Sequence, residues 1–331
     1  MENDKILISV VIPLYNKAHT IVHTLSTVLH QTYQNFEIVI VDDGSTDDGV
    51  QLLNDNFSDS RIRIISQANA GVSAARNRGI EETEGDWIAF LDADDEWIPT
   101  YLEYVSRAIQ SNNEAQIILS GRYSQNILTN QRSTNIPSRY KDRVVPIDFF
   151  ENPHVFMHIS ATVVKRECLF PCEQWNRFID GQRYNEDFTF LFRVVMHCQH
   201  VIYIAKPISI YNGNVDGQAT SSIGEECRIK DGILFRNSVW EEYSSMVKSS
   251  NKKKFKIFMK YELRHSILVH LKHKNYKDLN VLINGLSRFC KANSLSLLER
   301  FIYVRHSLRL ASIIYIYITK LIWKSHGFPQ T

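Results

Sequence analysis

The chain has 331 residues, 44% of them apolar and 22% charged, with a formal charge of +2. That composition supplies a large core and argues against disorder, and the balanced charge gives no reason to expect a nucleic acid partner. Five cysteines, an odd number without a CxxC pair, argue against a disulfide framework or a zinc site and fit a reducing cytoplasm. The N-terminus carries Glu2 and Asp4 where a signal peptide would be basic, so it reads as the approach to a strand. No run reaches the roughly 18 apolar residues that a membrane span needs.

Ile6 to Ile12 is an apolar, β-branched run stopped by Pro13, the pattern of a buried strand. Asn16 stands where a helix cap would, ahead of Ile21, Leu25, Val28 and Leu29 at helical spacing. Phe36 to Val41 predicts a second strand, cut off at Asp42-Asp43-Gly44-Ser45. A short helix is expected from Asp47 or Asp48, with Val50, Leu53 and Phe57 inward. Arg61 to Ile65 alternates as a third strand. Gly71 to Ile80 leads through a loop into a short helix carrying Arg76 and Arg78. Trp87 to Leu91 is a fourth strand that stops abruptly at Asp92.

Pro99 to Gln110 predicts an amphipathic helix, Ile117 to Leu119 a strand, residues 124–146 a long loop, and His158 to Val164 another strand. Phe188, Leu191, Phe192 and Val195 repeat at helical spacing just after Glu186-Asp187. Val201 to Tyr211 reads as a last strand, which Pro207 would confine to a sheet edge. Beyond about residue 220 the pattern turns to long helices, basic from Lys252 to Lys277. Residues 300–324 mix arginine and lysine with isoleucine, tyrosine and tryptophan. Such a segment suits a membrane interface, or a terminal helix packed on a core. The expected organisation is an α/β domain over 1–220 and a helical region over 221–331 ending in a basic amphipathic tail.

Strand and helix alternating at this spacing imply a Rossmann-like, doubly wound, mostly parallel sheet, in which ligands sit outside the carboxyl ends of the strands. Three strands end in polar clusters: Pro13-Leu14-Tyr15-Asn16, Asp42-Asp43-Gly44-Ser45 and Asp92-Ala93-Asp94-Asp95. These clusters therefore share one sheet edge. No GxGxxG follows the first strand, so the dinucleotide fingerprint is missing. Carboxylates crowded at 92–96 repel one another, and a hard cation such as Mg²⁺ or Mn²⁺ relieves that repulsion. A solvated acidic loop, with Asp95 or Glu96 starting a helix, is the plainer reading. His19, His23 and His30 lack an acid or cysteine at ligand spacing and read as surface or packing residues.

Together, SVVIPLYNKAHTIVHTLSTVLHQTY, FEIVIVDDGSTDDG, NAGVSAARNRGI and GDWIAFLDADDEW resemble the family 2 glycosyltransferases of the GT-A fold, of the bacterial surface-polysaccharide type. They come in the family's order over roughly residues 8–98, and YNEDFTFLFRVV matches more weakly. The resemblance implies a nucleotide-sugar donor, UDP-linked, whose nucleoside meets Pro13, Tyr15, Asp42 and Asp43. It implies Arg76 near the diphosphate, with Arg78 one alternation away. It implies Asp92-Ala93-Asp94 as the DxD motif, with Asp94 holding Mn²⁺ or Mg²⁺ and Asp92 touching the ribose or the metal through water. Asp95 would orient the sugar or cap a helix. It further implies a base for the acceptor hydroxyl in the pair Glu186-Asp187, with Asp187 preferred because a helix N-terminus favours its charged form. Many relatives place a tyrosine-arginine-x-histidine segment after the last strand. Here the segment is Ile210-Tyr211-Asn212-Gly213-Asn214, which leaves that phosphate contact without its usual residues.

The expectation is an inverting, metal-dependent glycosyltransferase acting on a glycan or lipid-linked saccharide in cell-surface polysaccharide synthesis. It would be cytoplasmic, or peripheral at the inner face of the cell membrane. A DxD phosphohydrolase needs a small hydroxyl residue after its nucleophile at the first strand, whereas Glu96-Trp97 follow this fourth-strand motif. A non-catalytic sugar-nucleotide binder would not need Glu186-Asp187.

Overall fold

The computed structural model describes residues 6–295 apart from 135, 152, 171–175, 216–222, 246–248 and 274. The chain divides into two compact units, Met1–Phe149 with Pro153–Ile223, and Phe150–Asn152 with Gly224–Thr331. The tail at 300–324 lies outside the described residues.

The first unit is built on a ten-stranded sheet. Strands β1 (Ile8–Leu14), β2 (Phe36–Asp42), β3 (Ile62–Ser66) and β4 (Trp87–Phe90) alternate with helices α1 (Ile21–Leu29), α2 (Gly49–Asn56) and α3 (Val72–Glu82). They pair in parallel in the order β3-β2-β1-β4. Val10, Ile12, Ile38 and Ile40 are fully buried, as expected for strands covered on both faces. Ile21, Leu25 and Val28 of α1 join the same core, which follows from their helical spacing.

Further along come β5 (Glu96–Trp97), α4 (Tyr101–Gln110), β6 (Ile117–Asn126), β7 (Gln131–Thr134), β8 (Val144–Ile147), the short α5 (Pro153–Phe156), β9 (Thr162–Lys165), α6 (Glu186–His197) and β10 (Val201–Gly213). They extend the sheet as β9-β6-β10-β5, with β9 antiparallel to both of its neighbours.

Four expectations are corrected. Residues 124–146 are not one loop, because β6 runs on to Asn126 and pairs with β7, while β8 pairs with β10. The apolar stretch from His158 opens as a 3₁₀ turn over Ile159–Ala161, and its strand starts only at Thr162. Strand β10 is not an edge. It carries β6 on one side, and on the other β8 against Val201–Ile204 and β5 against Ser209–Ile210. Pro207 falls between those two short partners, at a register shift, so its missing N–H breaks no ladder. Asn16 does not cap α1, whose first residue is Ile21; it sits at φ 51 and turns back to the loop after β2.

Gly79 explains how closely α3 lies on the sheet, since a Cβ there would collide with Val11 Cγ1 of β1. Gly79→Ala is expected to destabilise the fold by about 1–3 kcal/mol through overpacking, partly offset by roughly 1 kcal/mol of helix propensity. A urea midpoint equal to or above that of the native chain would contradict this packing.

The second unit is helical: α7 (Glu225–Glu241), α8 (Ser249–Lys272), α9 (Tyr276–Gly285) and α10 (Arg288–Ser294). Trp240 is buried with Phe255 of α8 edge-on at 5.1 Å between ring centres. Asn275 and Ser287 cap α9 and α10 by accepting from Asp278 N–H and Cys290 N–H. Among the described residues no helix is long and apolar enough to cross a membrane.

Candidate active site

The strand-end rule holds in space, because β1, β2 and β4 lie side by side and parallel. At the end of β1, Tyr15 is 48% exposed, so its ring is available to a ligand. Beside it Asn16 accepts from Thr46 N–H at 2.8 Å and donates its own N–H to Ser45 Oγ at 3.1 Å. Asp42 accepts from Ser45 N–H at 3.0 Å and is buried, while Pro13 pairs with Val41 one position earlier. Asp43 is also buried. It accepts from Gln67 Nε2, Ala70 N–H and Gly71 N–H at 2.7–2.9 Å. These bonds make Asp43 the anchor of the loop into α3, where Gly71 adopts φ 93, a conformation natural only to glycine.

Arg76 is the hub of the opposite end. It is 2% exposed, and its guanidinium donates to Asp92 Oδ1 at 2.7 Å and Glu186 Oε1 at 3.2 Å. It also lies over the Phe178 ring at 5.2 Å. Burial alone would disfavour its charge, but Asp92 and Glu186 more than reverse that and hold it ionised. Arg78, by contrast, is half exposed and paired with Glu82 one turn on, a plain surface ion pair. The two arginines are two residues apart, so the helix turns them to different faces.

The acid loop is held from beneath by residues that sequence reasoning did not single out. Ser160 Oγ accepts from Asp92 N–H at 3.1 Å and donates to Asp95 Oδ2 at 2.6 Å. Asn212 donates its N–H to Asp95 Oδ1 and its amide to Asp94 O and Glu96 Oε1. Asn212 thus braces the acid loop from the end of β10. Asp95 neither caps α4, which starts at Tyr101, nor reaches solvent, being 1% exposed. Its carboxyl is pushed well above the usual range by burial and by Asp92 and Asp94. His158 Nε2 is 3.8 Å away, but burial drives that imidazole down to about 3, so the ring is uncharged and the contact is not an ion pair. Ala93 is buried, and its carbonyl accepts from Thr24 Oγ1. Asp94 is held by Lys17 Nζ at 2.5 Å, a partner on the loop after β1.

Glu186 and Asp187 open α6 behind Asn185, which is left-handed at φ 57. The helix N-terminus favours the charged form of Asp187, and burial opposes it. Burial, with Asp187 next to it, pushes Glu186 up to about 7, against the pull of Arg76. Asp187 is likewise raised by burial, although Arg76 and the N–H of Phe188 at 2.7 Å oppose the shift. Desolvation is the largest influence on both, since both are largely buried. Through Arg76 the structure brings together Asp92 from β4 and Glu186 from α6, more than 90 residues apart in the chain.

Among the described residues, no group of three or more histidine, cysteine, aspartate or glutamate side chains is placed to hold a metal ion. Asp92 and Asp94 still fit a partial site: each pairs through one carboxylate oxygen with a cation, Arg76 or Lys17, and each is an oxygen donor suited to Mg²⁺ or Mn²⁺. Magnesium is commonly held by one or two carboxylates with substrate phosphates completing its shell, so two acids suffice when a diphosphate is present.

The mostly parallel sheet, with Asp42, Asp43, Asp92 and Asp94 at the ends of its strands, and the helical unit after it have the GT-A fold. Residues 9–168 match the model of glycosyl transferase family 2 and belong to that family. Over 112 residues the chain is 42% identical to UDP-Glc:alpha-D-GlcNAc-diphosphoundecaprenol beta-1,3-glucosyltransferase WfgD of Escherichia coli, covering 33% of this chain and 44% of that one. It is 31% identical over 243 residues to glycosyltransferase GlyA of Streptococcus pneumoniae serotype 4, covering 71% of this chain and 32% of that one. The matched stretch spans 18% to 57% of the length of these and similar curated relatives. Staphylococcus aureus TarS residues 1–349, solved in complex with UDP-GlcNAc, shares the fold at TM-score 0.72 and 16% identity, over 92% of this chain and 88% of that one.

Proposed function

We propose that this chain is an inverting glycosyltransferase that moves a sugar from a UDP-linked donor to a hydroxyl of a glycan or lipid-linked saccharide in surface-polysaccharide synthesis. The observation that carries it is the Arg76 bridge, which joins the acids of the expected phosphate end to the expected base pair. The 42% identity to an enzyme named for a UDP-glucose donor and a diphosphoundecaprenol-linked acceptor supports the donor and acceptor classes. TarS, of the same fold, was solved with UDP-GlcNAc and with UDP. The surface of the cell membrane, reached through residues 300–324, remains part of this proposal, as does the division into residues 1–220 and 221–331.

In this reading Tyr15 offers a ring face to the base, and Asp42 and Asp43 shape the nucleoside pocket with Pro13. Arg76 supplies fixed positive charge next to the diphosphate. Mn²⁺ or Mg²⁺ held by Asp94 and Asp92 would neutralise charge that develops on the departing nucleoside diphosphate. Asp187 takes the proton from the acceptor hydroxyl. The hydroxyl oxygen attacks the anomeric carbon from the face opposite the diphosphate, whose bond breaks with its electron pair, so the configuration inverts. Glu186 is paired with Arg76, whereas Asp187 accepts from Phe188 N–H, which favours Asp187 as the base. Burial raises its pKa above the ordinary carboxylate value, which strengthens it as a proton acceptor.

A panel of sugar nucleotides incubated with the protein and Mn²⁺, followed by chromatography of released nucleotide, tests the reading. Slow donor hydrolysis selective for one UDP-sugar is expected, and no turnover with any of them would reject it. The acid pair also sets a pH limb. Because the base must be ionised and the pair titrates with a step near 7, kcat/KM is expected to fall as pH drops through about 7. A profile flat from pH 5 to 8, far below and above that step, would exclude a buried carboxylate base.

A further inference from the structure

The residue on which the proposed reaction makes no demand is Lys17. Its side chain is 12% exposed and that of Asp94 is 15% exposed, with 2.5 Å between Nζ and Oδ2. An ordinary surface lysine reaches its partner from a mobile stem, and such pairs contribute little. This stem is fixed on both sides. Asn16, in a left-handed conformation, is tied to Ser45 and Thr46, and Ala18 N–H donates to Asp47 Oδ2 at 2.8 Å. The carbonyl of Lys17 itself accepts from Thr20 N–H and Ile21 N–H, at the start of α1. The loop after β2 thus clamps the loop after β1 and presents one ammonium to one acid of the DxD motif.

We propose that Lys17 is a cation lock on Asp94: it holds the carboxylate until a nucleoside diphosphate draws the ammonium away, so that nucleotide and divalent cation bind together rather than independently. This rests on reading Asp94 as a metal ligand. A divalent cation on Asp94 and an ammonium in hydrogen-bond contact with it repel each other strongly at such distances in a partly buried site. A lone divalent cation must therefore displace the lysine and leave a partly buried ammonium without its partner. A diphosphate removes that obstacle, because its oxygens accept from the ammonium while contributing to the metal's shell. The coupling is reciprocal: the metal tightens the nucleotide by the same factor by which the nucleotide tightens the metal. The lock would also keep the crowded acids at 92–95 partly neutralised while the donor site is empty.

The test is a Mn²⁺ titration of the full chain followed by electron paramagnetic resonance, with and without UDP. Lys17→Met keeps the length of the side chain and removes the charge, and Lys17→Arg keeps the charge. Lys17→Met is expected to bind Mn²⁺ alone about tenfold more tightly than the native chain, within the usual range of coupling between sites. The tightening by UDP should shrink by the same factor, and Lys17→Arg should behave like the native chain. Equal Mn²⁺ affinity of native and Lys17→Met protein without UDP, with binding in both abolished by Asp94→Asn, overturns the lock and leaves the metal reading intact. Binding unaffected by Asp94→Asn, or no Mn²⁺ binding even with UDP, overturns both. Matching thermal midpoints of the variants keep loss of fold out of the comparison.

Discussion

Asp187→Asn is expected to lower kcat by about 10²–10⁴-fold, the usual contribution of a general base, while UDP affinity stays unchanged. The substitution keeps the size of the side chain and its bond from Phe188 N–H, so α6 should start where it does now. It removes the lone pair that takes the proton and nothing that touches the donor. Glu186→Gln should behave differently, because Glu186 answers the charge of Arg76 at 3.2 Å. Its loss should disturb the arginine and with it nucleotide affinity. If Asp187→Asn turns over at the native rate while Glu186→Gln is dead, the base is Glu186. If both turn over normally, the pair has no role in proton transfer.

Arg76→Met should lose stability heavily as well as function. Removing one partner of a buried ionic cluster costs about 3–5 kcal/mol, because the remaining charges stay buried without compensation. Here Asp92 and Glu186 would both be left facing a thioether, near Asp187. The sign with pH follows from their protonation. Without the guanidinium, the folded-state pKa values of Glu186 and Asp187, already raised by burial, rise further above the unfolded ones. Stability is therefore retained at low pH, where they are neutral, and lost as pH rises through their raised folded values. The native pair already titrates near 7, so the deficit of the variant is expected to be fully developed above neutrality and to shrink in acid. Urea unfolding of native and Arg76→Met protein across that range measures it, and a deficit independent of pH would mean that Arg76 stabilises through packing on Phe178 alone. An Arg78→Met control should differ from the native chain by less than about 1 kcal/mol, since its ion pair with Glu82 is half exposed.

The reading of Asp95 as a helix cap failed for the same physical reason that made Asp187 unlike a simple N-terminal acid. Local pattern shows a carboxylate before a helix and assigns it a local partner. Tertiary burial then works against the helix end: Asp95 is enclosed by Ser160 and Asn212, and burial raises the pKa of Asp187. Lys17, Ser160 and Asn212 carried no signal because their partners lie more than 60 residues away in the chain. Pro207 misled in the opposite direction. A proline is tolerated in a central strand where the ladder is already irregular, and Pro207 lies between the short partners β8 and β5, at a register shift against β6.

The DxD stretch from Asp92 to Asp95 shows where the two kinds of information divide. By itself the sequence determined the alternation of strand and helix, the parallel sheet implied by it, and the rule that the polar clusters ending β1, β2 and β4 share an edge. Those follow from hydrophobic periodicity and chain connectivity, which are local. Only the tertiary structure decided the state of each acid. Asp92 faces a buried arginine, Asp94 faces a lysine, and Asp95 is sealed, its pKa raised by burial. Charge state depends on desolvation and on partners brought from elsewhere in the chain, and neither is written in the four letters of the motif.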